Sequence, residues 1–511
     1  MSLGLATIVG LTAAPQEQFP GTADNWRRFE SPHCELFSQV GEQDSRDLLH
    51  QMEQLQALFG ATMGLRERRV VPVTVYYFAR KKDFLPYVPE QLRDEDRIAA
   101  YHSRHADRAV IVLAPGWGSD QTRRLVYHEY IHHIVSLADE HPPIWFSEGE
   151  AEFFSTFREH RDSLLVGDPI PGHIATIKYD GLMSLEQLFG IDHQSPSYNE
   201  ASRAGLLYAE SWLLIHYLMC GSPGLTPEQI ERRQEFFRYL GQETDQGDPE
   251  RRRETFERTI GMTYAQMLSE LREYIRRGQF VWRKYPLPAI PEATTYAMRS
   301  MPREEIRLRL AELDLRVNQS AAGRLALLDA VAREPGEYRA REVLGMDAQR
   351  DNDMARAQER WREALTAGSR NPAVYYELAG IENQQWFARF DLDFRLPNDK
   401  AAELRRLLHG SLEAAPKQAR AYEVLAWVEA TAEKPSPREI NLVQEHLSDV
   451  SNRARTLLAL AVIRVRVGDL KTAQLMLDAL AKGSTAPDVT SAVRQLQNII
   501  ERKRAKADAS N

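Results

Sequence analysis

The spacing of hydrophobic positions changes part-way along the chain. Between residues 26 and 113, β-branched and aromatic runs predict strands, and one intervening stretch has the i, i+3, i+4 spacing of an amphipathic helix. After residue 119 the spacing is almost entirely helical. The predicted strands are 33–40, 70–78 and 109–113, and the predicted helices of the first part are 45–59, 205–218, 226–241, 249–259 and 263–278. The pattern therefore predicts an α+β domain followed by an all-α domain.

Two stretches of the first part lack a regular pattern. Residues 163–203 are rich in proline and glycine and are predicted to form loops around a cleft. Residues 101–105 are predicted to form a turn that leads into the last strand. His102 and His105 could belong to a second metal site or contact a substrate, but in a turn we expect them on the solvated surface.

The two ends of the chain and the middle carry boundary signals. Three prolines between residues 285 and 291 end the first helical pattern, and few strand-forming residues follow them. An apolar run near the N-terminus ends in small residues, as signal peptides do, although basic residues do not precede it. We therefore predict an extracytoplasmic (periplasmic or secreted) protein, with a disordered tail on a cytoplasmic protein as the alternative. The predicted segments are 1–25 (tail or signal remnant), 26–290, 300–500 and 501–511 (frayed tail).

Composition limits the classes of partner. The chain is 43% hydrophobic and 27% charged, which is typical of a globular protein. A net charge of −8 argues against a nucleic-acid partner, and no apolar run reaches the roughly 18 residues of a transmembrane segment. Cys34 and Cys220 are the only cysteines, so either one long-range disulfide or two separate buried thiols is possible.

The strongest chemical signal is the sequence H-E-x-x-H at residues 128–132. On a helix, His128 and His132 lie one turn apart on the same face, where both imidazoles can bind one Zn²⁺ ion. Glu129 projects from a neighbouring position and can reach a water without binding the metal. Catalytic zinc usually has three protein ligands, and Glu148 is the candidate third. We expect the chain to reverse near residues 139–143, and Ser147 with Glu150 to form a capping box that opens a second helix.

These motifs resemble the gluzincin metallopeptidases, in particular the bacterial peptidase MA-like group. The W-x-x-E-G-x-A-E box of that group is similar to residues 145–152, although the G-A-M-E-N substrate loop of the membrane alanyl aminopeptidases is absent. The resemblance covers residues 26–290 and implies a thermolysin-like catalytic domain. It assigns the metal to His128, His132 and Glu148, and the general base to Glu129. It also implies that Tyr208 stabilises the oxyanion and that Glu152 orients a ligand imidazole, whereas the adjacent His133 is expected to be structural.

The second part shows a repeat of about 34 residues. The best copy spans 338–371, with Leu344-Gly345, Ala357, Trp361 and Ala364 at fixed intervals. This copy resembles a tetratricopeptide repeat, and weaker copies follow up to residue 500. An aromatic-rich insertion is expected at 384–397. A generic helical bundle is the alternative.

The sequence therefore yields two hypotheses from different classes. The first is a zinc-dependent peptidase that cleaves a peptide or protein substrate, with the repeats binding substrate or a protein partner. The second is an inactive peptidase-like scaffold whose repeats mediate protein–protein interaction. Retention of Glu129 favours the first hypothesis, although a hydrolase acting on a non-peptide amide or ester is also compatible with the motifs.

Overall fold

A computed structural model gives the architecture of the protein. It describes residues 19–22, 24–63, 71–93, 98–114, 120–137, 142–192, 195, 201–221, 226–242, 249–387, 394–483 and 487–508. These residues form a mixed α/β structure in which helices predominate around one larger and one smaller sheet. The coarse prediction of an α+β fold is therefore confirmed. Residues 1–18 and 23 of the predicted N-terminal tail and residues 388–393 of the predicted insertion at 384–397 lie outside the described residues. Phe19, within the predicted tail, is buried in a core of the protein.

The larger sheet has six strands in the order β4-β5-β3-β2-β1-β9. Strands β2, β3 and β5 are mutually parallel, whereas β4 pairs antiparallel with β5, and β1 pairs antiparallel with both β2 and β9. The three strands predicted from the sequence correspond to β2, β3 and β5. The strands are β1 Arg27–Glu30, β2 Cys34–Ser38, β3 Val73–Tyr77, β4 Ala100–Arg104, β5 Ala109–Leu113 and β9 Ala297–Ser300.

Strand β4 corrects the prediction of a turn at residues 101–105. Its polar sequence gives no strand pattern. Pairing with β5 sets its register, from Ala100 opposite Leu113 to Arg104 opposite Ala109. β4 is the outer strand on this side of the sheet, and no other described strand pairs with its far edge, where an extended chain could add.

Both faces of the sheet are buried, because adjacent residues of a strand point to opposite sides. Val75 and Tyr77 of β3 face a core shared with the helices of the first part, whereas Tyr76 faces a second core. That second core includes Ile306 and Leu310 of the helix that follows β9. The chain beyond residue 290 thus continues the packing of the first part rather than leaving it.

Ten helices are described in the first part. The predicted helices are confirmed, but Gly60 lies inside the first helix and does not end it. The helices are α1 Glu42–Met63, α2 Lys81–Phe84, α3 Asp120–Leu137, α4 Ile144–Ser155, α5 Pro171–Asp180, α6 Leu185–Phe189, α7 Ala201–Cys220, α8 Pro227–Gln242, α9 Pro249–Ile260 and α10 Tyr264–Arg277. Short 3₁₀ helices span Leu85–Tyr87, Glu90–Leu92 and Ala293–Thr295.

The section at 163–203 is more ordered than the loops predicted for it. It contains a strand of the smaller sheet and the helices α5 and α6, and its last residues belong to α7. Pro171 begins α5 at its first turn instead of interrupting a helix. The smaller sheet has the order β6-β7-β8, with β6 Arg158–His160, β7 Ser163–Val166 and β8 Arg283–Pro286.

From residue 303 the described chain consists of successive helices packed side by side. In the best repeat copy Trp361 is fully buried, and a Cβ on Gly345 would lie 2.2 Å from the Trp361 Nε1, so glycine is required for this close approach. The helices are α11 Arg303–Asn318, α12 Ala321–Arg333, α13 Tyr338–Arg350, α14 Met354–Thr366, α15 Pro372–Phe387, α16 Asn398–Ala414, α17 Ala419–Thr431, α18 Pro437–Glu445, α19 Arg453–Arg466, α20 Leu470–Gly483 and α21 Pro487–Asp508.

Two further sequence questions are answered by the described residues. None of the helices among them is long and apolar enough to span a bilayer. Cys34 and Cys220 are both buried free thiols, so of the two alternatives the separate thiols are correct. Burial raises the pKa of the Cys220 thiol to about 11, which keeps it protonated and poorly nucleophilic.

Candidate metal centre

Helices α3 and α4 pack against each other and carry the candidate ligands. The start of α4 corrects the predicted capping box. The helix begins at Ile144, with Pro143 at the N-cap position, so Ser147 and the buried Glu150 lie inside it and do not cap it. Ser147 instead faces α3, where its Oγ lies 3.1 Å from the Nδ1 atom of His132.

Three side chains meet at one point between these helices. The Nε2 atoms of His128 and His132 are 3.1 Å apart, and the Oε2 atom of Glu148 lies 3.2 Å from the first and 3.3 Å from the second. In a tetrahedral zinc site with bonds of about 2.0–2.1 Å, neighbouring ligand atoms are separated by roughly 3.3 Å. The triangle therefore has the dimensions of one face of such a site.

The chemistry of this group fits a divalent cation. Glu148 Oε2 is buried and has no hydrogen-bond partner among the described residues. Burial alone would raise the pKa of Glu148, but the two imidazoles lower it to about 2, so the carboxylate is charged. Within the described residues, His128, His132 and Glu148 are the one group of three or more histidine, cysteine or acidic side chains arranged to hold a metal. A buried anion beside two imidazole nitrogens is a ligand set that Zn²⁺ prefers.

Each imidazole is oriented by a contact to its other nitrogen. Glu152 Oε1 lies 3.4 Å from His128 Nδ1, the position that the sequence predicts for Glu152, and Ser147 takes the corresponding place beside His132. A proton held on each Nδ1 leaves the lone pair on Nε2 free to bind a metal.

Gly149 allows helix α7 to approach the metal-binding helices. A Cβ at this position would lie 2.6 Å from the backbone oxygen of Ser211 and 2.6 Å from Ile215 Cγ1, both on α7. This close packing brings Tyr208, also on α7, near the site: its ring centroid is 6.0 Å from that of His128, edge to face. The predicted oxyanion residue thus lies beside the predicted ligands.

Glu129 lies half-buried on α3, next to His128 in the chain. Among the described residues its carboxylate makes neither a hydrogen bond nor an ion pair. This distinguishes it from Glu148 and Glu152, which contact the histidines. A carboxylate in this state is able to accept a proton from a water.

The remaining histidines of the region are structural neighbours of the site. His133 is buried and stacks on Tyr130 with a centroid distance of 5.9 Å, as expected for a non-ligand. His102 corrects the prediction of a solvated side chain: on β4, its ring meets that of His133 edge to face at 5.8 Å, and burial, with His133 and Arg104, lowers its pKa. His105 is also enclosed, and burial followed by Arg316 lowers its pKa to about 4.

Two contacts of Glu152 are not anticipated by the sequence. Arg124 Nη2 lies 2.9 Å from Glu152 Oε2, and His173 Nε2 lies 3.0 Å from the same oxygen. Arg124 is four residues before His128, so helical spacing was an available signal for it. His173 comes from α5, and nothing local in the sequence indicates the contact.

Comparison with known proteins adds no support to the resemblance to gluzincins, which therefore rests on these residues. No family model matches the chain, and no curated protein matches it significantly. The function is therefore inferred from the motifs and from the geometry described above.

Proposed function

We propose that this protein is a zinc-dependent peptidase of the gluzincin type. The observation that carries the proposal is the triangle of His128 Nε2, His132 Nε2 and Glu148 Oε2, with sides of 3.1–3.3 Å. The buried Oε2 atom of Glu148, which makes no hydrogen bond in the described part of the chain, supports the proposal further. The three residues would hold Zn²⁺ and leave a fourth coordination position for water or substrate.

In the proposed mechanism each step is assigned to a named side chain. Bound Zn²⁺ would supply polarisation of the scissile carbonyl and a lowered pKa for the attacking water. The Glu129 carboxylate accepts a proton from that water and delivers it to the leaving amine nitrogen. The Tyr208 hydroxyl donates a hydrogen bond to the developing oxyanion of the substrate. Ser147 and Glu152 keep the two imidazoles in the required tautomer and orientation.

An extended peptide is the substrate that the surroundings favour. Strand β4 is the edge of the larger sheet and contacts α3 through the rings of His102 and His133. A peptide added to this edge by main-chain hydrogen bonds would run close to the helix that carries the histidines. This arrangement of edge strand and motif helix supports the proposed thermolysin-like domain.

The helical part offers a second surface for substrate or partner. A cavity of about 550 Å³ is lined by residues from several successive helices, including α15, α17, α19 and α21. The lining combines apolar side chains such as Ile381 and Val424 with polar ones such as Asn383 and Gln495. We propose that this cavity binds a segment of the substrate or of a partner protein, as tetratricopeptide-like repeats do.

The decisive experiment compares wild type with Glu129→Gln on a peptide library. The variant keeps the shape of the side chain but cannot take the proton, so we expect one zinc per chain and a fall in hydrolysis of about 10²- to 10⁴-fold. His132→Ala should lose both metal and hydrolysis. Glu228→Gln, an exposed residue of α8, is the matched control and should behave as wild type.

Equal hydrolysis by wild type and Glu129→Gln would contradict the proposal. Zinc binding by wild type without hydrolysis of any peptide would instead favour the scaffold hypothesis, which the cavity in the helical part independently supports. Amide and ester substrates without a peptide backbone, assayed in parallel, test the third possibility. All assays require the full chain, because α11 packs on the larger sheet.

A further inference from the structure

Beyond the predicted ligands, one carboxylate in the region has an unusual number of nitrogen-bearing neighbours. Glu152 is contacted by His128 through Oε1 and by both Arg124 and His173 through Oε2. Its side chain is only 14% exposed, so these contacts are made largely away from water. One oxygen therefore faces a candidate metal ligand while the other is held from the opposite side.

The two residues that hold Oε2 come from different elements. Arg124 lies one turn before His128 on α3, and its guanidinium also reaches Ser155 Oγ at 3.5 Å, on the same helix as Glu152. His173 lies near the start of α5, and its ring packs against Trp212 of α7 with a centroid distance of 5.9 Å. Both side chains are thus fixed by neighbours other than Glu152, which limits the positions that the carboxylate can take.

We propose that Arg124 and His173 are positioning residues for the metal centre. They fix Glu152 so that its other oxygen, Oε1, stays beside Nδ1 of His128 and Nε2 is directed toward the shared ligand point. Without them Glu152 has a choice of rotamers, and the imidazole loses the partner that defines its tautomer. The inference rests on the metal-binding part of the proposed function and adds a role for α5.

The contact through His173 makes metal retention depend on the position of α5. This helix follows strands β6 and β7 in the chain and packs against α7, which also carries Tyr208. A displacement of α5 would remove one of the two side chains that contact Glu152 Oε2 and leave Arg124 alone. Residues 163–203, predicted to form loops around a cleft, would then influence the metal ligands through one histidine, His173.

The test measures metal affinity and ligand geometry in the full chain, independently of hydrolysis. Zn²⁺ affinity is measured by competition with a chromophoric chelator, and Co²⁺ binding by its visible d–d absorption. We expect His173→Phe and Arg124→Met each to weaken Zn²⁺ binding by about tenfold, within the range seen when outer partners of zinc ligands are removed. The Co²⁺ bands should shift, because the orientation of His128 changes.

Conservative variants distinguish positioning from a general loss of structure. His173→Gln retains an N–H donor and should restore most of the affinity lost in His173→Phe. The control His160→Phe makes the same replacement at an exposed histidine of β6 and should bind Zn²⁺ as wild type does. If His173→Phe fails to fold, Arg124→Met compared with Arg124→Lys supplies the same test.

The possible outcomes separate this inference from the proposed function. Wild-type affinity and an unchanged Co²⁺ spectrum in both His173→Phe and Arg124→Met would overturn the inference alone. Failure of the wild type to bind Zn²⁺ would overturn it together with the proposed metal site. Wild-type Zn²⁺ binding with weakened variants would support it even if no peptide is cleaved.

Discussion

Two clusters of buried charged side chains in this protein differ in how their charges are compensated. At the candidate metal centre, one carboxylate faces two imidazoles, and Glu148 Oε2 has no hydrogen-bond partner in the described residues. Between the larger sheet and the helices that follow it, four arginines pair with four carboxylates, here called the junction network. Its members are Glu35, Asp107, Arg108, Arg309, Glu312, Arg316, Glu337 and Arg339.

The charges of the junction network are paired with one another within the chain. Glu312 is 1% exposed and lies 2.9 Å from Arg309, 3.1 Å from Arg316 and 2.8 Å from Arg339. Each charge there lies within 4.0 Å of an opposite charge, although Arg108 Nε makes no hydrogen bond among the described residues. At the metal centre the three ligand atoms instead converge on one another at 3.1–3.3 Å, an arrangement that an added cation would satisfy. Burial of charged side chains does not by itself indicate a binding site. Buried ligand atoms that converge on one another without opposite charges from the chain to pair with them do indicate one.

The largest expected effect comes from breaking the junction network. Glu312→Ala leaves three buried guanidinium groups without their common partner, and we expect a loss of about 3–5 kcal/mol in the free energy of unfolding. Urea unfolding monitored by circular dichroism measures it. The control Glu304→Gln removes a surface partner of Arg307 and should leave the unfolding midpoint almost unchanged. Equal midpoints for Glu312→Ala and wild type would show that the network contributes nothing to stability.

Completing the metal centre should have an effect of similar size and opposite sign. Zn²⁺ at a thousand times its dissociation constant would stabilise the wild-type protein by about 4 kcal/mol, because it binds only the folded chain. In His132→Ala the same addition should give no stabilisation. The measurement is the shift of the unfolding midpoint between chelator-treated and Zn²⁺-loaded samples. A shift that survives in His132→Ala would place the ion elsewhere.

Acid should weaken the junction network through Glu35. Burial alone would raise the pKa of Glu35, but Arg339, Arg108 and Arg28 lower it from 4.5 to about 2. A carboxyl whose pKa is lower in the folded state stabilises the protein above its unfolded pKa, and this stabilisation is lost as the pH falls from about 5 toward 2. The shift corresponds to about 3 kcal/mol.

Comparing wild type with Glu35→Gln isolates this contribution from those of other carboxyls. Urea unfolding at a series of pH values should give a difference between the two proteins that is largest near neutrality and shrinks as the pH falls toward 2. A difference that stays constant over this range would contradict the assigned pKa shift.

Local spacing explains what could be predicted from the sequence at the metal centre. His128 and His132 are brought together by the helical repeat alone, so their juxtaposition follows from any helix through residues 128–132. Glu148 was predicted from the need for a third zinc ligand and a chain reversal, and its approach depends on the packing of two helices. The misplaced start of α4 has a specific cause: the pattern of Ser147 and Glu150 imitates a capping box, whereas Pro143 marks the true beginning.

Contacts between distant segments explain what could not be predicted. Residue pairs of the junction network such as Arg316 and Asp107 are separated by 209 positions, and the chain carries no local pattern that links them. Strand β4 escaped prediction for a related reason, since His102, Ser103 and Arg104 become a strand only by pairing with β5. His173 likewise reaches Glu152 through the packing of α5, which no spacing rule anticipates.

The smallest expected effect tests how closely α4 and α7 must pack to form the metal centre. Gly149→Ala would set a Cβ 2.6 Å from the Ser211 backbone oxygen. Because a backbone atom cannot move away by changing rotamer, helices α4 and α7 must separate. We expect a loss of about 1–3 kcal/mol in stability and weaker Zn²⁺ binding, since Glu148 is the adjacent residue. The junction network is remote from this contact, so the Glu35-dependent fall in stability at low pH should persist in Gly149→Ala.

Gly205→Ala is the matched control, because it makes the same replacement on α7 where a Cβ has nothing within 4 Å. Alanine lowers the conformational entropy of the unfolded chain, so this variant should be more stable than wild type by up to about 1 kcal/mol with unchanged Zn²⁺ affinity. Opposite signs for the two glycines would show that helix separation, and not the loss of a glycine, weakens the site. If both variants bound Zn²⁺ as wild type does, Glu148 would reach the histidines without the close contact, and the spacing of α4 and α7 would matter only for stability.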